Sequence, residues 1–197
     1  MKRNLLLKTT LALAIASPLM ASAESQLTTG GGSAVARLNL EVIIPSVLFL
    51  GVGTGSDLTN TSNSNADTLT FDYTTNADQV GIPGSPAADI RDTNGGFPGN
   101  GQIPVRVFGN NGQVTIRADN PPNLVNGADT IPFTEMSVVS NNTNLPAPGF
   151  SGTNTSQPLL AGRVTNQSAL WTYSYGNSTA PAAGTYTGTV TYTASML

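Results

Sequence analysis

The stretch QIPVRVFGNNGQVTIRAD, residues 102–119, decides the fold. Ile103, Val105 and Val107 recur at every second position, a Gly/Asn turn follows at 109–112, and Val114, Ile116 and Ala118 resume the same period. A side-chain period of two belongs to strands, because successive side chains leave a strand on opposite faces. The stretch therefore predicts two antiparallel strands joined as a β-hairpin.

The same pattern extends along the chain. Strands are expected at 34–44, 47–52, 68–73, 131–139, 159–164, 169–175 and 185–194, with Asn-Gly pairs at Asn94, Asn100, Asn111 and Asn126 marking turns. No helical period stands out beyond the first residues. The segments 53–67, 74–101 and 140–157, rich in Asn, Thr, Ser and Gly, read as loops. About nine short strands of this kind predict an all-β chain, an antiparallel β-sandwich or small barrel.

The N-terminus has a different character. Lys2 and Arg3 precede an apolar run ending in Ala21-Ser22-Ala23, which predicts a secretory signal peptide over 1–23, cleaved before Glu24. Residues 24–32, which include the triglycine 30–32, read as a flexible extension. Residues 33–197 then read as a single β-sandwich domain. Nowhere is there the run of about 20 apolar residues that a membrane helix needs, so export without membrane insertion is expected.

Composition excludes much chemistry. The 197 residues contain no cysteine and no histidine, which removes His- and Cys-based nucleophiles and metal sites, and every disulfide. Three of the eight basic residues lie in the leader. The remaining 174 residues carry five arginines against 11 carboxylates, a net charge near −6 that repels nucleic acid and anionic membrane. The Asn-x-Ser/Thr sequons at Asn60, Asn141, Asn154, Asn166 and Asn177 are what so Asn- and Thr-rich a chain produces by chance, and the short Lys-Arg leader has a bacterial character.

The acids offer two sequence-close pairs, Asp72 with Asp78 and Asp89 with Asp92, the residue type that glycoside hydrolysis uses. Nothing in the sequence buries or couples either pair, so the chain reads as non-enzymatic and without cofactor. Asp89 to Gly95 resembles part of a calcium loop but lacks its closing acid, and an Asx turn explains it as well. Trp171, Tyr173 and Tyr175 alternate and so share one face. That face is either sandwich core or, if exposed, a glycan-stacking platform.

The two ends of the mature chain carry more information. In SAVARLNLEVII, residues 33–44, the side chains of Ala34, Ala36, Leu38, Leu40, Val42 and Ile44 share one face, with Arg37, Asn39 and Glu41 opposite. In AGTYTGTVTYTASML, residues 183–197, the apolar or small residues Tyr186, Gly188, Val190, Tyr192, Ala194 and Met196 alternate with Thr and Ser up to the final residues. An exposed edge of this kind invites pairing with another strand. The N-terminal segment is either the domain's own first strand or one lent to a neighbour by β-strand addition.

On these two segments, and on Gly184 fourteenth from the last residue, the chain resembles subunits of bacterial chaperone-usher pili, in particular the archaic, spore-coat-U-like pilins. The resemblance implies an immunoglobulin-like sandwich, incomplete in itself and completed by donor-strand exchange. It implies a donor strand at 33–44 and a chaperone-facing C-terminal strand carrying Gly184, Tyr186, Val190, Tyr192, Ala194 and Met196. It further implies a homopolymer or neighbouring pilin subunits, a periplasmic chaperone and an outer-membrane usher as partners, and passage through the periplasm to a surface fibre serving adhesion or biofilm formation. The chain departs from the pattern in lacking a disulfide, in having Met196 rather than an aromatic residue next to last, and in placing Pro45-Ser46 between donor and core. The alternative that the residues leave open is a self-contained secreted sandwich that binds glycan or a surface.

Overall fold

The computed structural model describes residues 24–53, 66–87, 89–92, 99–119, 121–150 and 154–196. The leader at 1–23 and the turn at Asn94-Gly95 lie outside the described residues. The chain divides into two units, Met1–Ile44 and Pro45–Leu197.

Pro45–Leu197 is all-β and antiparallel. Its strands are β1 Leu48–Val52, β2 Leu69–Asp72, β3 Asp89–Asp92, β4 Gln102–Gly109, β5 Val114–Ala118, β6 Leu124–Asn126, β7 Asp129–Ile131, β8 Met136–Ser140, β9 Thr155–Ser156, β10 Leu160–Ala161, β11 Val164–Tyr175 and β12 Tyr192–Met196. The first sheet runs β1-β4-β11, with β10 and β8 pairing along the far side of β11. A second sheet runs β12-β5-β9, and β2-β3 and β6-β7 form two-stranded ribbons. The two main sheets meet over one core, in which Val105 and Val107 of β4 and Trp171 of β11 pack with Val114 and Ile116 of β5 and with Leu145.

The expected hairpin is where the reading of residues 102–119 needs correction. β4 and β5 both form, and Ile103, Val105, Val107, Val114, Ile116 and Ala118 are all buried as their period requires. The two strands are not paired with each other, however. β4 pairs with β1 and β11, while β5 pairs with β12 and β9. The turn is an arch that carries the chain from one layer to the other, so the two apolar rows face each other across the core instead of lying side by side. Backbone groups within the turn bond elsewhere: the Asn110 amide donates to the Val47 carbonyl at 3.3 Å and Gly112 to that of Arg163 at 3.1 Å.

Other boundaries shift for local reasons. Pro132 has no N–H to extend a ladder, so the run expected at 131–139 splits into β7, a single 3-10 turn at Phe133–Glu135, and β8. Gly162, at φ +65°, turns the chain between β10 and β11 and divides the run expected at 159–164. Within the expected loops, β3 and β9 add short ladders. Residues 34–44 form no strand, and of the strand expected at 185–194 only residues 192–194 join a sheet, as the first part of β12.

Ile116 is fully buried between the layers, and a Leu/Ile-to-Ala change at such a site costs about 2–5 kcal/mol. Ile116→Ala should lower the urea midpoint accordingly, whereas Thr115→Ala on the outward face should change stability by only about 0.5 kcal/mol. Equal losses at the two positions would contradict the two-layer core.

Candidate functional site

The N-terminal segment, taken by itself, exposes what a strand would normally bury. Leu38, Leu40, Val42 and Ile44 are 81%, 85%, 82% and 75% exposed, and Ala34 and Ala36 are also exposed. Its recorded polar contacts are local: Val35 N–H donates to Gln26 Oε1 at 3.0 Å, Thr28 Oγ1 donates to the Ser33 carbonyl at 3.4 Å, and Arg37 lies 3.9 Å from Glu24. Burying one side chain such as Leu or Ile fully is worth roughly 1.5–3 kcal/mol. A row of them in water is a large unsatisfied hydrophobic surface with the periodicity of a strand.

In the Pro45–Leu197 unit, two strands end their sheets next to each other. Among the described residues, β1 pairs on one side only, with β4, and β12 pairs on one side only, with β5. Leu50 and Val52 of β1 and Tyr192, Ala194 and Met196 of β12 pack against the core, yet all five are only half-buried. By contrast Val105, Val107, Val114 and Ile116, one strand further in, are at most 1% exposed. The core is therefore closed by strands in its middle and left open along the side where β1 and β12 present unpaired backbone.

Both ends of this open side are built carefully. At the arch, the carboxamide of Asn110 accepts from the Val47 N–H at 2.8 Å and donates to the Pro45 carbonyl at 2.8 Å, which holds residues 45–47 extended as they enter β1. Met196 closes the same end, its sulfur accepting from the Asn111 N–H at 3.3 Å. Further along, the hydroxyls of Tyr192 and Tyr173 share a 2.8 Å hydrogen bond between the sheets, and Trp171 stacks edge-on against Tyr192 at 5.3 Å. Burial raises the Tyr173 phenol to about 12 and also raises Tyr192, so both remain neutral donors and acceptors at any ordinary pH.

The other C-terminal residues take different places. Tyr186 and Val190 are half-buried outside β12, and Thr187 bridges to Val125 of β6. Gly184 and Gly188 leave room for that approach. A Cβ at Gly184 would meet Asn126 Nδ2 at 1.8 Å, and one at Gly188 would meet Leu124 Cδ2 at 2.6 Å.

Trp171, Tyr173 and Tyr175 do share a face, and it is the inner one. Trp171 is fully buried with its Nε1 donating to the Leu145 carbonyl at 3.3 Å, Phe150 stacks on Tyr173 at 6.2 Å, and Tyr175 meets Tyr73 edge-on at 6.1 Å. The row is therefore not an exposed stacking platform.

The carboxylates assemble otherwise than sequence proximity suggests. Asp72 of β2 stands opposite Asp89 of β3, and Arg91 bridges them at 2.8 and 2.6 Å. Neither Asp78 nor Asp92 joins this triad. Thr74 donates twice to Asp72, from Oγ1 and from N–H; with Arg91 assisting, this holds the carboxyl at about 2. A half-buried acid kept ionised by its own turn and paired with Arg91 clasps the ribbon and is not a proton donor at neutral pH. Among the described residues, no group of three or more acidic side chains is placed to hold a metal ion, and no helix is long and apolar enough to cross a membrane.

The sequence reading missed Asn110 and the Asp72–Asp89 pairing. Asn110 was visible only as part of a turn signal. No protein-family model matches the chain, and no curated protein or solved structure matches it.

Because the folded Asp72 pKa is depressed, its contribution to the β2-β3 ribbon is complete above about pH 4 and is lost as pH falls through about 2. A carboxyl NMR titration should give a midpoint near 2, and Thr74→Ala should move it up toward the ordinary 3.8. A wild-type midpoint already at 3.8 would contradict the clasp.

Proposed function

We propose that this chain is an exported, non-enzymatic structural subunit that assembles by β-strand donation into a surface fibre of the pilus or fimbria type. Residues 33–44 of one copy fill the open β1/β12 side of the next. The observation that carries this reading is the match of two deficits among the described residues: an apolar strand-like segment with no strand partner, and a core half-covered between two strand edges that lack one.

Strand order supports it. In a constant-type immunoglobulin sandwich one sheet is ordered A-B-E-D and the other holds C, F and G. Here β1-β4-β11-β8 has the first order, and β5 with β12 supplies C and F. In chain order these strands run A to F, with the two ribbons and the short β9 and β10 as insertions between them. Strand G would lie beside β12, which is where the core is open. An added strand would satisfy main-chain groups along the edges, while Leu38, Leu40, Val42 and Ile44 would supply the missing apolar cover.

Tyr192, Ala194 and Met196 of β12 are the C-terminal residues that such a strand, or a transport chaperone presenting a strand of its own, would cover. The chaperone and usher, the periplasmic route and a role in adhesion or biofilm formation follow from the same reading. A head-to-tail contact of this kind does not close and so generates a fibre.

The mature chain should form concentration-dependent oligomers by light scattering after size exclusion, with amides of 34–44 protected from hydrogen exchange. Leu38→Asp with Leu40→Asp should leave monomers, because insertion would bury unpaired charge. A wild-type chain that stays monomeric at millimolar concentration, with 34–44 unprotected, would overturn the reading.

A further inference from the structure

We propose that Asn110, with Pro45 and the register of the segment, bars residues 33–44 from completing their own domain. The inference rests on the strand-donation reading and deepens it by naming the residues of this chain that exclude the intramolecular route.

The segment leads directly into β1, so insertion beside β1 of the same chain requires a hairpin near residues 42–47. Any turn that uses 45, 46 or 47 breaks the clamp. Asn110 holds the Pro45 carbonyl and the Val47 N–H through its carboxamide and the Val47 carbonyl through its backbone N–H. Together these three bonds continue the β1-β4 ladder past Leu48 and hold residues 45–47 extended.

A turn placed before Pro45 meets a register problem. A two-residue turn at 43–44 sets residue 42 opposite 45, and therefore Asn39 opposite Leu48, Arg37 opposite Leu50 and Val35 opposite Val52. Leu50 and Val52 face the core, so Arg37 would be driven into it while Leu38 and Leu40 faced water. A one-residue slip reverses every side chain of a strand, and a two-residue turn here imposes that slip.

A three-residue turn restores the face, setting Leu38 opposite Leu48 and Ala36 opposite Leu50. It must then be built from Val42, Ile43 and Ile44, all β-branched. Three-residue hairpin loops put their last residue in the left-handed region, where glycine is favoured and a β-branched residue is a steric outlier. None of these obstacles applies to the β1/β12 side of another copy, which the segment reaches without reversing.

The chain has no cysteine, so paired cysteines report the route directly. Full-length mature chain would carry Ala194→Cys on β12 together with a cysteine replacing Ala36, Leu38 or Leu40 in turn, and be oxidised at about 10 µM. A segment free to close on its own domain has an effective concentration in the millimolar range and would favour the intramolecular product about 100-fold. The expected result is the reverse: a ladder of intermolecular disulfides, with heterodimers when singly substituted chains are mixed. Asn110→Ala combined with about six Gly/Ser residues inserted after Ile44 should then raise the intramolecular product at least 10-fold.

Predominantly intramolecular disulfide in the chain without those loop changes would overturn the bar to self-completion and leave strand donation standing. No disulfide at any of the three positions would overturn strand donation itself, and this inference with it.

Discussion

Main-chain hydrogen bonding along β1 and β12 is the constraint on which the rest depends. Each strand has a paired edge inside the domain and a second edge that has no strand partner among the described residues. Exposed edges are hazards that folded proteins usually blunt with charge, proline or a covering loop. Here the inward side chains of both strands are Leu50, Val52, Tyr192, Ala194 and Met196, and the side they flank is apolar rather than blunted. Such a side calls for a strand, and residues 33–44 have a strand's pattern without a strand's partner.

The core tolerates this opening because its centre lies between β4, β11 and β5, away from the open side. β4 and β11 form the longest ladder, from Thr165 opposite Gly109 to Thr172 opposite Gln102, and their inward residues meet those of β5 across the sandwich. Trp171 and Leu145 fill the space between. The interior is therefore anchored away from the open side. The Tyr173–Tyr192 hydrogen bond and the Trp171–Tyr192 contact tie β12 to the opposite sheet although its outer edge is bare. No disulfide is needed for that tie, consistent with the absence of cysteine.

Much of this was legible in the sequence because period-two alternation reports burial directly. The apolar rows of residues 102–119 and the shared face of Trp171, Tyr173 and Tyr175 follow from it, whereas the stripe at Ala34 through Ile44 alternates as clearly and yet forms no strand and is exposed. What alternation does not report is which strand is the neighbour. A hairpin and an interlayer arch bury the same six residues of 102–119, so the pattern alone does not separate them; the difference lies in where the backbone groups of 109–112 bond. The Asp72–Asp89–Arg91 clasp was hidden for a related reason, since it depends on register between strands sixteen residues apart. Proline and glycine effects at Pro132 and Gly162 were local and readable in kind, yet they moved element boundaries that apolar periodicity had drawn straight through.

Asn110 is a residue that composition treats as turn filler, yet it fixes the entry of the chain into β1. Its carboxamide offers one acceptor and one donor in the geometry of a peptide group, and it uses both on residues 45–47. A β-branched or apolar residue there would leave the Val47 N–H and the Pro45 carbonyl without these partners, and the chain entering β1 would be free to turn. The opposite face of the segment completes the logic. Arg37, Asn39 and Glu41 stay in water whenever Leu38, Leu40 and Val42 are buried, so one orientation of the inserted strand is stable and the inverted one places charge in the core. Under the proposed strand donation, a clamped exit would set direction and a two-faced strand would set facing, and the two together would admit a head-to-tail series.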